Sequence, residues 1–271
     1  MEYVTLQDGT QVPKLGLGTW RMGGSMSPDS SQDSRVIGAI QSAVEMGYSL
    51  IDTAEMYGGG HTETLIGEAL RGTDRSELLL ISKVWHTNLH YQDVFRALEG
   101  SLKRLKTDYL DFYLIHWPNE SVPLEETFRA LNEVLDRGLV RHIGVSNFNL
   151  RQLKRAVELS ETALATDQVP YSLEDRQYVQ NGVLDYSRKR EIMLTAYSPI
   201  GKGRVLNNPI LEKIARDHGA SPAQIALRWL IRQEGVIAIP KATSSEHQRD
   251  NLGALEIELT GEEVEQLNQA S

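Results

Sequence analysis

The chain has 271 residues, contains no cysteine and carries a formal net charge of −9 at pH 7. The lack of cysteine excludes disulfides, thiol catalysis and thiolate metal sites, and the acidic balance argues against a nucleic-acid partner, whose binding surface is usually basic. No apolar run approaches the roughly 18 residues that cross a bilayer, and the first ten residues lack a signal-peptide tract, so we expect a cytoplasmic protein without a membrane partner.

Short apolar runs alternate with amphipathic segments along the chain. "YVTL" and "TQVP" flank "QDG" near the start and predict a short N-terminal β-hairpin. Eight strand candidates follow, at residues 14–20, 49–52, 78–83, 109–116, 140–147, 165–172, 192–198 and 236–241. Most of them are continuous apolar runs, which are typical of buried parallel strands.

The intervening segments have the spacing of helices. Val36, Ile40 and Val44 form one apolar stripe, which Gly47 follows as a helix terminator. "SPAQ" at 221–224 has the serine, proline and glutamine of a helix start, and "GEEVEQLNQA" at 261–270 is the last predicted helix.

Eight strand–helix units indicate an α/β fold in which one (β/α)8 TIM barrel occupies residues 1–271, since such barrels typically have about 250 residues. An open, doubly wound sheet has the same local pattern. The GxGxxG fingerprint of that alternative is missing between the first strand and helix. The barrel is therefore favoured.

Polar residues lie at or near the ends of the predicted strands. They are Asp52, Lys83, His116, Asn147, Gln168, Tyr197 and Lys241. In a parallel barrel these strand ends open onto one face, where active sites of the fold lie. Each residue alone has an ordinary explanation, such as an exposed charge or a helix cap, but their joint occurrence favours an active site.

A carboxylate, phenol, ammonium and imidazole together suit the polarisation and protonation of a carbonyl group. A free tyrosine titrates near about 10, and we expect Lys83 to lower the pKa of Tyr57 towards neutrality while Asp52 holds Lys83 in place. His116 would orient the carbonyl oxygen. No Ser–His-type nucleophile and base and no HExxH-type pair accompany this set, so we expect neither a hydrolase nor a metal site.

These segments resemble the aldo-keto reductases, NAD(P)H-dependent carbonyl reductases built on a (β/α)8 barrel. "GYSLIDTAEMY", "ISKVW", "DYLDFYLIHWP", "RHIGVSNF" and "IPKATSSEHQRDNL" match the motifs of that family in order, from about Leu15 to Leu267. The wording is similar to bacterial methylglyoxal-reductase-like members. The resemblance implies a catalytic tetrad of Asp52, Tyr57, Lys83 and His116, in which Tyr57 donates the proton.

The resemblance also implies NADP(H) as cofactor, with NAD(H) possible, and a small-molecule carbonyl substrate. The implied cofactor residues are Thr19, Trp20, Ser146, Asn147, Gln168, Tyr197, Ser198, Pro199, Ile200, Lys241, Thr243, Ser244, His247 and Asn251. Among them, Ser146, Asn147 and Gln168 would bind the nicotinamide carboxamide, and Tyr197 would stack on its ring. Trp20, Trp85 and Trp117 are the expected apolar walls of the substrate pocket.

The sequence departs from the family pattern at two informative places. His247 stands where the family usually has an arginine that pairs with the 2′-phosphate, so we expect a weakened preference for NADPH over NADH. "GGGHT" separates Tyr57 from Glu63, and this insertion is expected to loosen one wall of the pocket. The chain also ends soon after its last predicted helix, which predicts an open pocket.

Two alternatives of other classes stay open at this stage. A cofactor-binding sensor or channel-subunit-like module would share the fold with slow turnover, and a Schiff-base aldolase would use Lys83 as its nucleophile. The expected assembly is a monomer or a weak homo-oligomer. The sequence does not identify the physiological substrate or the reaction direction.

Overall fold

The computed structural model describes residues 1–269, without the side chain of Lys202, so the last residue of the predicted helix 261–270 and the last two of the predicted domain lie outside the described residues. The strands are β1 (Tyr3–Thr5), β2 (Gln11–Pro13), β3 (Leu17–Gly18), β4 (Leu50–Asp52), β5 (Leu79–Val84), β6 (Leu110–Ile115), β7 (Val140–Ser146), β8 (Thr166–Pro170), β9 (Met193–Tyr197) and β10 (Val236–Ala238). The helices are α1 (Asp33–Glu45), α2 (His61–Ala69), α3 (Tyr91–Leu105), α4 (Leu124–Asp136), α5 (Leu150–Leu159), α6 (Gln177–Gln180), α7 (Val183–Lys189), α8 (Pro209–Asp217), α9 (Pro222–Ile231), α10 (Ser245–Gly253) and α11 (Gly261–Gln269).

Strands β3 to β10 form one parallel sheet in chain order, with helices in the connections. The two edges of this sheet meet, because Gly16 N–H donates to Ala238 O at 2.9 Å and Gly18 N–H donates to Pro240 O at 3.1 Å. β1 and β2 pair antiparallel with Val4 opposite Val12. The predicted (β/α)8 barrel with an N-terminal hairpin is confirmed.

The barrel interior has an apolar lower layer and a polar upper layer. Side chains two apart on a strand share a face, and on three neighbouring strands an apolar residue precedes a polar one by two: Leu50 and Asp52, Ile81 and Lys83, Leu114 and His116. The apolar members belong to one buried cluster with Leu6 and Val12 of the hairpin region, which covers the lower end. The polar members therefore converge at the upper, carboxyl end of the strands.

Local sequence signals position the helices as expected. Ser221 and Gln224 form a capping box at the start of α9, with proline in its first turn, and Gly47 follows α1 with a φ of 97°. Among residues 1–269, none of the helices combines the length and apolarity needed to cross a membrane.

The seam of the barrel requires glycine at position 18. A Cβ atom there would lie 2.5 Å from Ile239 O, a backbone atom directly after β10, the strand across the seam. We expect Gly18→Ala to lower the free energy of unfolding by about 1–3 kcal/mol, because two hydrogen-bonded backbones must separate to admit a methyl group. Urea denaturation measures this change.

Gly38→Ala is the matched control for the seam. Gly38 lies inside α1, and nothing lies within 4 Å of an added Cβ. The free energy of unfolding of this variant should therefore stay the same or rise by up to about 1 kcal/mol. Wild-type stability for Gly18→Ala would contradict the close approach at the seam.

Candidate active site

A cavity of about 600 Å³ opens at the carboxyl ends of the barrel strands. This volume lies within the usual range for small-molecule sites. Fourteen of the residues implied by the resemblance line it: Thr19, Trp20, Asp52, Tyr57, His116, Trp117, Ser146, Asn147, Gln168, Tyr197, Ser198, Pro199, Ile200 and Lys241. The fold thus brings together residues from distant parts of the chain.

A buried ion pair lies at the base of the cavity. Lys83 Nζ donates to Asp52 Oδ1 at 2.8 Å and to Thr53 O at 2.7 Å, and both side chains of the pair are at most 2% exposed. Gln168 Nε2 donates to the second carboxylate oxygen of Asp52 at 2.7 Å. Burial lowers the pKa of the Lys83 ammonium, and the Asp52 carboxylate opposes that change. Both oxygens of Asp52 therefore have donors, which fixes the carboxylate between β5 and β8.

Tyr57 lies above this pair and is itself buried. Its ring centroid is 4.9 Å from that of Trp20 and 5.6 Å from that of His116, and Lys83 Nζ is 5.1 Å from it. Burial raises the pKa of Tyr57 well above 10, and the Asp52 carboxylate adds to the rise. The phenol is therefore protonated at neutral pH.

The predicted direction of the Tyr57 pKa shift is wrong for the chain described here. The Lys83 ammonium alone would lower this pKa. In the structure that ammonium is bonded to Asp52, whose negative charge also acts on the phenol, and the Tyr57 side chain is buried. Desolvation of the phenolate therefore decides the sign.

His116 is a neutral imidazole. Burial lowers its pKa to about 2, and the positive charge of Lys83 contributes to the lowering. Its Nδ1 atom is buried with no hydrogen-bond partner among the described residues. Since a buried N–H without an acceptor is rarer than a bare acceptor, we assign the proton to Nε2, which makes that atom a hydrogen-bond donor.

Asn147 connects the strand ends on the other side of the cavity. It has a left-handed backbone (φ 64°) directly after β7, which asparagine adopts more readily than most residues. Its Nδ2 donates to His116 O at 3.0 Å, and its Oδ1 accepts from Tyr197 Oη at 2.9 Å. These bonds hold the backbone of His116 and the ring of Tyr197 at fixed positions around the cavity.

The triple glycine that follows Tyr57 forms a compact turn. Gly58, Gly59 and Gly60 all have positive φ, at 58°, 60° and 93°, and Gly58 N–H donates to Ser25 O at 2.7 Å. A Cβ at Gly58 would lie 2.6 Å from Gly23 O. The expectation of a loosened pocket wall is therefore wrong, since these glycines allow the turn to pack tightly against the 23–25 segment.

Several predicted residues lie away from the cavity lining. Trp85 does not line it; its backbone N–H is held by Glu55 at 2.6 Å, and its ring packs against the His116 ring at 5.0 Å. Thr243, Ser244, His247 and Asn251 lie in or just before α10, beyond the cavity lining. Lys83 lies beneath the lining, as its complete burial requires.

The cavity also contains residues that the sequence did not predict. They are Gly18, Arg21, Met56, Ile239 and Pro240. Each lies within three residues of a predicted site residue. A prediction that included the sequence neighbours of the predicted site residues would therefore have contained them. The shape of the connecting segments, which decides which neighbour faces the cavity, has no sequence periodicity.

Comparisons with known proteins agree with this geometry. The family model described as Aldo/keto reductase family matches residues 14–271. Methylglyoxal reductase YeaE of Escherichia coli (strain K12) is 39% identical over 265 residues, which cover 96% of this chain and 91% of that protein.

Solved structures are similar over nearly the whole chain. A thermostable aldo-keto reductase, Tm1743, crystallised with the inhibitor epalrestat, has 47% identity and a TM-score of 0.98 with all of both chains covered. An aldo-keto reductase from Klebsiella pneumoniae in complex with NADPH has 36% identity and a TM-score of 0.90, covering 99% of this chain and 94% of that one. The barrel, its polar upper layer and these relatives together show that the chain belongs to the aldo/keto reductase family.

Proposed function

We propose that this chain is a reductase of small aldehydes or ketones that uses NADPH, and that Tyr57 gives the proton to the carbonyl oxygen. One observation carries the proposal: a buried, protonated phenol lies between a neutral imidazole and a buried ammonium at the base of a cavity. A relative is named methylglyoxal reductase, which supports the substrate class. Similar structures were crystallised with NADP or NADPH, which supports the cofactor.

The polar groups around the cavity fit a nicotinamide carboxamide. Gln168 Oε1 accepts no hydrogen bond from the described residues, and Asn147 Oδ1 has one donor and a second lone pair. A carboxamide NH2 group supplies the donors that these two acceptors need. The Tyr197 ring, held through its hydroxyl group, lines the same cavity and offers an aromatic face for stacking.

The other end of the cofactor would lie towards α10. Lys241 is exposed and lines the cavity, and Ser244, three residues later, is the N-cap of α10. A helix N-terminus beside a lysine favours a phosphate group. His247 is exposed in the first turn of this helix, where it supplies a weaker phosphate partner than an arginine.

The side chains have separate roles in the proposed reaction. The bound nicotinamide would supply a hydride to the carbonyl carbon. As negative charge develops on the carbonyl oxygen, Tyr57 donates its proton there, and His116 Nε2–H stabilises the same oxygen by a hydrogen bond. His116 does not supply the proton, because its low pKa leaves no imidazolium at neutral pH.

Lys83 stabilises the phenolate that Tyr57 becomes. Its ammonium is buried and close to the phenol ring, so the attraction between ammonium and phenolate is poorly screened. Asp52 and Gln168 keep that charge in place. A phenol with a raised pKa still protonates an alkoxide, which is a far stronger base, so the arrangement favours reduction at neutral pH.

Tyr57→Phe should lower kcat for aldehyde reduction by about 10²–10⁴, since it removes the proton donor and keeps the ring. NADPH affinity, measured by fluorescence titration, should stay unchanged. Tyr186→Phe, which removes a phenol hydroxyl from α7, is the matched control and should turn over like the wild type. Turnover by Tyr57→Phe within threefold of the wild type would refute the assigned role.

His247→Arg should tighten NADPH about tenfold and leave NADH unchanged, because only NADPH has the 2′-phosphate that a guanidinium grips. Kd values for both cofactors measure this selectivity. Glu246→Gln makes the same change of charge in the same exposed turn without a guanidinium, and should give a smaller, salt-screened effect. Equal gains for both cofactors in His247→Arg would contradict the placement of the phosphate.

A further inference from the structure

A second buried carboxylate lies close to the site but outside the cavity. Glu63, in the first turn of α2, has no exposed surface. Its Oε1 accepts from Ser82 Oγ at 2.6 Å, and its Oε2 accepts from Arg104 Nε at 2.7 Å. A buried carboxylate is costly unless both oxygens are bonded, so these partners are required for its presence there.

The contact between Ser82 and Glu63 lies next to Lys83 in the sequence. Ser82 directly precedes Lys83 on β5, and consecutive side chains of a strand point to opposite faces. Lys83 points into the barrel and binds Asp52, whereas Ser82 points outward and binds Glu63. The segment from residue 52 to residue 63 is thus attached at both ends to adjacent residues of one strand.

Tyr57 lies in the middle of this doubly attached segment. Glu55 adds a third attachment, because its carboxylate accepts at 2.6 Å from the backbone N–H of Trp85, the residue directly after β5. The part of this segment between β4 and α2, residues 53–60, has no regular secondary structure apart from the turn at residues 57–60. Its attachments to β5 therefore set where the phenol lies relative to Lys83.

The triple glycine makes room for the outer attachment. A Cβ at Gly60 would lie 2.8 Å from Arg104 Nε, the atom that donates to Glu63. Any other residue at position 60 would displace the guanidinium or the turn. The glycine at this position thus permits Arg104, on the neighbouring helix α3, to reach across and neutralise Glu63.

We propose that Glu63, Ser82 and Arg104 are positioning residues, which hold Tyr57 over Lys83 from outside the barrel. The expected effect on turnover rests on the proposed function, whereas the expected position of Tyr57 over Lys83 does not. The charge of Glu63 also favours the ammonium form of Lys83. The three residues touch neither the cavity nor the reacting atoms.

Ser82→Ala is the direct test, because it removes one hydroxyl and leaves the Glu63–Arg104 pair intact. We expect kcat for reduction of methylglyoxal with NADPH to fall about tenfold to hundredfold, since small displacements of a reacting group have effects of this size. KM for NADPH should change little, and Ser82→Thr, which restores a hydroxyl, should recover most of the rate. Ser187→Ala, which removes a buried hydroxyl that has no partner among the described residues, is the matched control.

A double-mutant cycle separates positioning from general destabilisation. If Ser82 acts through Tyr57, then Ser82→Ala should cause no further loss of kcat in a Tyr57→Phe background. A loss of the same size in both backgrounds, or wild-type kcat for Ser82→Ala, would overturn the proposal.

Crystal structures give a readout that does not depend on turnover. In Ser82→Ala the distance between Lys83 Nζ and the Tyr57 ring should depart from 5.1 Å, whereas it should be retained in Ser187→Ala. An unchanged distance in Ser82→Ala would overturn the positioning role even if the wild type proved inactive. Inactivity of the wild type with a changed distance would refute the proposed function and leave the positioning role supported.

Discussion

The buried ion pair between Asp52 and Lys83 is the interaction on which the site depends. It joins the ends of β4 and β5 inside the barrel, where both side chains are almost completely buried. Taking two charges out of water costs several kcal/mol for each ion, and their attraction repays this only with good geometry and further hydrogen bonds. Thr53 and Gln168 supply those bonds.

Such a pair is weak evidence for stability, because well-packed apolar residues often serve a core equally well. Its consequences lie in the neighbouring groups. The Lys83 charge helps to keep His116 neutral, whereas burial and the Asp52 carboxylate keep Tyr57 protonated. One electrostatic arrangement thus gives a proton donor and a neutral hydrogen-bond donor beside each other. The apolar layer beneath, which the hairpin covers, provides the rigid support.

Much of this architecture follows from the sequence because strand geometry has a fixed period. The eight strand candidates, most of them continuous apolar runs, located all eight barrel strands. The polar residues at or near their ends, from Asp52 to Lys241, predicted the position of the cavity. Backbone sterics also explain the success at Gly47 and at the "SPAQ" helix start, where local residues determine local structure.

Predictions from the sequence were wrong where the structure depends on contacts between distant segments. The pKa of Tyr57 depends on burial of its side chain by distant segments, which no local pattern reports, and the Trp85 ring packs against the His116 ring outside the cavity lining. The triple glycine has the composition of a flexible loop. Only the packing of Gly23 and Arg104 against it shows that it is a constrained turn.

We infer that the Asp52–Lys83 pair serves the chemistry of the site and is dispensable for the fold. The most direct measurement compares a neutral double variant, Asp52→Asn with Lys83→Met, with the single variant Lys83→Met, by urea denaturation and by aldehyde reduction. We expect the double variant to unfold within about 1 kcal/mol of the wild type or to be more stable, and the single variant to lose about 3–5 kcal/mol because a buried carboxylate is left unpaired. Both variants should lose their aldehyde reductase activity. Retained turnover in the double variant, or a loss of stability as large as that of the single variant, would contradict the claim.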